Sequence, residues 1–259
     1  MQQFIQTIQT QPGPAQQTHR SFSLAPNAFW ARLVMLIVCV CMLALSSCNS
    51  ANSPVKLGTR THSSSATLTY VAIGASDTFG IGADDPYTEN WPTDLSTLLR
   101  SQAHLINLGV PSMTIHAALT TELPIALDSH PNLVTIWLAV NDLATNVPVD
   151  SYSHDLDTML SRLQTAAPHA RIVVGNVPDL LNVPFFHTYD QITLSQQITS
   201  YNAAIASVVQ QHQAILVDLS AQGYNLQTFP EYVSRDGLHP SSAGYLRLAQ
   251  LFYNALQQG

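Results

Sequence analysis

Two short segments of the chain carry side chains able to work as a pair. Ser76 lies in Gly74-Ala75-Ser76-Asp77-Thr78, directly after an apolar run, and Asp236 and His239 lie in Asp236-Gly237-Leu238-His239-Pro240. A hydroxyl becomes a useful nucleophile when a base takes its proton, and imidazole does so well when a carboxylate fixes its tautomer and stabilises the imidazolium. Gly74 permits the tight turn that lifts a serine hydroxyl above a sheet and to the start of a helix. The spacing of Asp236 and His239, with Gly237 between them, lets one loop supply both groups. Each segment also has a plainer use. A serine at that place suits a helix N-cap, and Asp-Gly is a common turn dipeptide.

Acyl transfer through such a pair also needs donors aimed at a developing oxyanion. Two candidates stand out: the backbone N–H of Gly109, in Asn107-Leu108-Gly109-Val110-Pro111, and the side-chain amide of Asn141, in Ala139-Val140-Asn141-Asp142. Glycine and asparagine are equally at home as turn-formers, so neither is diagnostic alone.

The elements that must position these residues follow from the pattern of apolar residues. Five β-rich runs, at 68–73, 105–108, 133–139, 171–175 and 214–218, alternate with stretches of helical period. Leu156, Met159, Leu160 and Leu163 form one apolar stripe, and Leu194, Ile198, Tyr201, Ile205 and Val208 form a second. Tyr245, Leu248, Ala249, Phe252 and Leu256 form a third. This alternation predicts a three-layer α/β/α sandwich around a five-stranded, mainly parallel sheet. In open parallel sheets the reactive groups gather in loops at the carboxyl ends of the strands, where Ser76, Gly109 and Asn141 are expected.

Ser76, Gly109, Asn141 and His239 occur in the order that names the SGNH hydrolases, also called the GDSL-like family, and the resemblance runs from about Leu68 to the end of the chain. It implies a flavodoxin-like fold with Ser76 as nucleophile and His239 as base, Asp236 standing three residues before it. It further implies an oxyanion hole made by the Ser76 N–H, Gly109 and Asn141. The chain departs from the family pattern at three places: Ala75 stands where the family name has Asp, Asp77 where it has Leu, and Ala139 where a glycine often precedes the third block. These changes leave the catalytic atoms in place and bear on substrate preference. The α/β-hydrolase elbow fits less well, since Thr78 stands where it asks for glycine.

The expected activity is hydrolysis of carboxylic esters, of lipids or glycans, through an acyl-enzyme. Its rivals are a surface binding protein on the same fold without turnover, and an acyltransferase that hands the acyl group to a glycan. No cofactor and no metal are expected, because the remaining histidines lack metal-ligand spacing. The 179–191 connection, with Leu180, Leu181, Val183, Pro184, Phe185 and Phe186, is apolar enough either to line an acyl pocket or to pack the core. Asn176 and Asp218 read as holders of loops.

Composition narrows the setting. With 46% hydrophobic and 10% charged residues the chain can bury a core, and a net charge of −7 with few Lys and Arg argues against a nucleic-acid partner. Arg32 precedes an apolar run at 33–45, too short to span a bilayer comfortably but suited to a signal-peptide core. The run ends in Leu45-Ser46-Ser47-Cys48, which resembles the lipobox of bacterial lipoproteins. A signal peptide at 1–48 with lipid on Cys48, a polar tether at 49–67 and a catalytic domain at 68–259 are therefore expected. The domain would be held outside the cytoplasm at a membrane; an uncleaved N-terminal membrane helix, or secretion, is the alternative. Cys39, Cys41 and Cys48 are the three cysteines, so cysteine chemistry is excluded downstream.

Overall fold

The computed structural model describes residues 68–99, 103–221 and 224–259, all within the compact unit His62–Gly259. The expected signal peptide, Cys48 and the whole of the tether lie outside these residues.

Five strands form the sheet: β1 (Thr69–Gly74), β2 (His104–Asn107), β3 (Leu133–Trp137), β4 (Arg171–Gly175) and β5 (Ile215–Val217). Their order is β2-β1-β3-β4-β5 and all four pairings are parallel. β1 is buried from Tyr70 to Gly74 and β3 along its whole length, as strands covered on both faces must be. Among the described residues the α-helices are α1 (Ser76–Phe79), α2 (Trp91–Leu98), α3 (Ile115–Asp128), α4 (Val140–Ala144), α5 (Val149–Ala166), α6 (Gln191–Gln211) and α7 (Ser242–Gln258). Helices α2 and α7 pack together, while α5 packs against both α3 and α6. The result is the expected three-layer sandwich.

All three apolar stripes read from the sequence are buried, on α5, α6 and α7. Helices α2 and α3 had no such stripe to announce them. The first is only eight residues long, and the second buries Glu122 and carries Pro124 inside it. Side-chain caps fix the starts of α2, α3, α6 and α7: Asn90, Thr114, Asp190 and Ser241 each accept a backbone N–H of the first turn. The strand expected at 133–139 stops at Trp137, because the chain turns at Ala139 with φ +101°.

The core beneath the site is aromatic. Trp91 of α2 stacks on Phe252 of α7 with ring centroids 4.3 Å apart and meets Trp137 of β3 edge-on. Gly175 on β4 admits this cluster, since a Cβ there would come within 2.9 Å of both Phe252 and Trp137.

Candidate active site

The topology reverses between β1 and β3, and the crevice at such a point is where open α/β sheets bind ligands. Ser76 follows β1 there as the first residue of α1, so its N–H has no intrahelical acceptor. The turn is tight: a Cβ on Gly74 would overlap the Thr78 side chain and lie 2.8 Å from the Trp137 carbonyl.

The 233–240 loop, well beyond β5, brings the base over this serine. His239 Nε2 lies 3.0 Å from Ser76 Oγ, and His239 Nδ1 lies 2.7 Å from Asp236 Oδ2. The loop closes on itself. Val233 and Pro240 bridge, Ser234 N–H donates to the His239 carbonyl, and Asp236 Oδ1 accepts the N–H groups of Leu238 and His239. Burial pushes the Asp236 carboxyl up, but the Leu238 and His239 amides, the His239 ring and Ser234 outweigh it and hold it down at about 2. An ionised carboxylate can only accept, so Nδ1 carries the proton and Nε2 is left to accept from the Ser76 hydroxyl. That is the protonation state a general base needs.

Asn141 lies in α4, at the end of β3, and lines the same pocket as Ser76 and His239. One of its amide hydrogens goes to the Met113 carbonyl at 3.0 Å, which leaves the other for the pocket. The next residue, Asp142, is fully buried and accepts the Ile115 N–H, tying α4 to the start of α3. Burial raises its carboxyl to about 6. Asp142 was not singled out from the sequence; the tie it makes is long-range, so nothing local marks it.

The Gly109 N–H, expected as an oxyanion donor, donates to Asn107 Oδ1 at 3.0 Å. What its position requires is close approach: a Cβ there would lie 2.4 Å from the Phe79 nitrogen and 3.0 Å from the Ala75 carbonyl. Gly109 presses the loop after β2 against the turn that carries Ser76. In that loop Met113 N–H closes a turn onto the Val110 carbonyl, with Pro111 and Ser112 at its centre, and Ser112 holds φ +65°.

The 179–191 connection divides between the two uses read for it. Leu180, Val183 and Phe186 are buried and line the pocket beside Ser76, whereas Phe185 is half exposed and lines none of it. The backbone of Phe185 still contributes, since its N–H donates to the Gly237 carbonyl and fastens this connection to the 233–240 loop. Asn176 donates to Asp218 Oδ1 and accepts the Leu219 N–H, so both hold loops as expected. Among the described residues no cluster of His, Cys, Asp or Glu could hold a metal.

Comparison with known proteins agrees with this architecture. The GDSL-like lipase/acylhydrolase family matches residues 72–247. A family 3 carbohydrate esterase of Clostridium thermocellum is 22% identical, with a TM-score of 0.59 over 73% of this chain and 94% of that one. An acetyl xylan esterase, AlAXEase, is 20% identical, with a TM-score of 0.58 over 73% and 100%. A provisionally named endoglucanase X of Acetivibrio thermocellus is 26% identical over 133 residues, 49% of this chain and 51% of that protein, so the chain spans about half the length of this relative. With residues 72–247 matched by one family, the chain belongs to the GDSL-like lipase/acylhydrolase family.

Proposed function

We propose that the protein hydrolyses carboxylic esters through an acyl-enzyme on Ser76. The observation that carries this reading is the unbroken line from Asp236 through His239 to Ser76, with contacts of 2.7 and 3.0 Å. Ser76 Oγ attacks the ester carbonyl carbon as its proton passes to His239 Nε2. The carbonyl oxygen, now negative, is held by the Ser76 N–H and the free Asn141 amide hydrogen. Collapse expels the alcohol, which takes the proton from His239. Water then attacks the acyl-enzyme, gives its proton to the same nitrogen, and the carboxylic acid leaves as Ser76 recovers its hydrogen.

The pocket supports a short acyl group. Its cavity volume is about 50 Å³, room for a few waters at roughly 10–15 Å³ each on the same measure. The names of the two esterases cited above, one of carbohydrate and one of acetyl xylan, agree with small acyl groups on a polyol. Ser76→Ala should abolish both turnover of acetyl esters and labelling by a fluorophosphonate while the fold stays intact by circular dichroism. Folded wild-type protein that neither labels nor turns over any ester would overturn the proposal.

We propose also that Cys48 anchors the chain to a membrane. What supports this is the run of small residues before Cys48 after an apolar stretch of signal-peptide length. Mass spectrometry of membrane-extracted material should find lipid on Cys48 at a new N-terminus. Mature protein that still begins at Met1 would sink this reading.

A further inference from the structure

Asp77 follows the nucleophile directly and faces the same space. It lines the pocket together with Ser76, His239 and Asn141, and it also lines the adjoining recess with Ala139 and Met113. The rest of the wall is largely apolar, from Trp137, Leu180, Val183 and Phe186. Other acids of the described residues near this site are satisfied: Asp236 accepts the Leu238 and His239 amides, Asp142 the Ile115 amide, and Asp218 groups of Asn176 and Ser220. None of the hydrogen bonds among the described residues ends on the Asp77 carboxylate, whose influences are burial and the charges of His239 and Asp236. Burial, opposed by His239, pushes its carboxyl up to about 6.

Asp77 is not a second orienting partner for the base. Both nitrogens of His239 are engaged, one by Asp236 and the other by Ser76. Nor does the pocket suit a large cation. Trp137, Phe186 and Tyr224 are each at most 5% exposed, so they present too little ring face for a cation–π cage. What fits is a small neutral donor. A partly buried carboxylate without a protein partner in a largely apolar wall favours a ligand that supplies the hydrogen, because a ligand lacking it displaces water and leaves the acid unpaired.

Resting on the esterase reading, we propose that Asp77 sets substrate preference by accepting a hydrogen bond from a hydroxyl carried close to the scissile carbonyl of the ester. The hydroxyl can belong to the acyl group, as in a hydroxyacyl ester, or to the alcohol, as in an ester of a polyol. Both present the same donor, and isosteric pairs separate them. Ethyl glycolate against ethyl propanoate places the hydroxyl or a methyl group on the acyl side; 2-hydroxyethyl acetate against propyl acetate does the same on the alcohol side.

The experiment measures kcat/KM for all four esters, by acid release, with the wild-type protein, Asp77→Leu and Asp77→Asn. Because the two members of a pair differ in intrinsic reactivity, the quantity read is the hydroxyl-to-methyl ratio in wild type divided by that in the variant. The expected result is a quotient of about tenfold or more with Asp77→Leu on one pair, and close to one on the other. Asp77→Asn, nearly the same shape, keeps an acceptor oxygen and should fall between. It also stands in should Asp77→Leu fail to fold, where a quotient above one on a single pair still supports the assignment. Fluorophosphonate labelling of Ser76 in each variant separates the failures. If the proteins label and turn over esters but the quotients are one on both pairs, the Asp77 assignment is overturned and the esterase reading stands. If wild type neither labels nor turns over, both fall together.

Discussion

The loop that carries Asp236 and His239 and the turns that carry Ser76 and Asn141 hold the groups of the candidate site by opposite means. The first is satisfied largely from within, with the Phe185 N–H its tie to the 179–191 connection. Asp236 accepts two amides of its own loop, Ser234 and His239 close its neck, and its one left-handed residue is Gly237 at φ +74°. The second leans on distant chain. Asn141 is held by Met113, Asp142 by Ile115, and the turn between β3 and α4 puts an alanine, Ala139, at φ +101°. Behind it Glu122 is buried near the Gly74 and Val110 amides, and neither of its carboxyl oxygens has a hydrogen-bond partner. A self-contained loop needs only the right local residues. A leaning one can tolerate strain and unpaired polar atoms, because packing over-determines it.

The sharpest way to break the comparison is to remove the atom on which the first loop converges. Asp236→Ala deletes the acceptor of two amides and of the His239 ring at once, and should lower kcat by roughly 10³–10⁴-fold with the protein still folded. In the second region Asn141→Ala deletes one oxyanion donor, and the expected loss in kcat is roughly 10²–10³-fold. Steady-state hydrolysis of an acetyl ester, with circular dichroism as the control for folding, checks both. An Asn141→Ala loss below tenfold would show that the amide lining the pocket does not meet the oxyanion.

The same contrast explains what could be read from the sequence. Asp236, Gly237 and His239 were legible because their partners lie within a few residues, so type and spacing carried the geometry. The strands and the α5, α6 and α7 stripes were legible for a related reason: burial on one face imposes a period. The close approach at Gly109 was not legible, because a glycine after a strand looks the same whether its N–H faces a ligand or its missing Cβ makes room for a neighbour. The Asn107 side chain and the Phe79 backbone beside it are set by tertiary packing. Glu122, Asp142 and the strain at Ala139 were invisible for the same reason, and the two phenylalanines parted because adjacent residues in a 3₁₀ turn point in different directions.

The leaning region should also betray itself in the dependence of stability on pH. Burial pushes the Glu122 carboxyl from 4.5 up to about 8, against the pull of the Gly74 and Val110 amides. A carboxyl raised on folding binds its proton more tightly in the native state. Its contribution to stability is therefore complete below its ordinary value and is lost as pH rises through the folded one. Glu122→Gln removes that ionisation at little change in shape. The stability of wild type relative to the variant should fall between about pH 4.5 and 8, by a few kcal/mol at most. Effects of other raised acids, such as Asp77 and Asp94, cancel in the difference. Urea unfolding of the two proteins across this range gives the measurement, and parallel curves would mean that Glu122 is not held in a site that resists its charge.

The smallest effect is the most direct test of the contrast, because it exchanges the two residues that define it. Ala139 holds φ +101°, a conformation that glycine adopts without strain. Relief of such strain is worth about 1–3 kcal/mol, while glycine adds about 0.5–1 kcal/mol of unfolded-state entropy. Ala139→Gly should therefore stabilise the protein by roughly 1 kcal/mol, a rise in Tm of about 2–4 °C for a domain of this size. The reverse exchange, Gly237→Ala, should cost about 1–2 kcal/mol: alanine is strained at φ +74°, and its Cβ would come 3.3 Å from the Pro184 Cβ. Turnover separates the two further. The 139 turn is pinned from outside by Met113 and Ile115, so relaxing its backbone should leave kcat within about twofold. The 237 position sits between Asp236 and His239 and presents its carbonyl to Phe185, so a shift there moves the base and should lower kcat several-fold. If Ala139→Gly instead lowers both Tm and kcat, the alanine methyl is itself part of how Asn141 is held, and the strained turn is a packing contact rather than a tolerated cost.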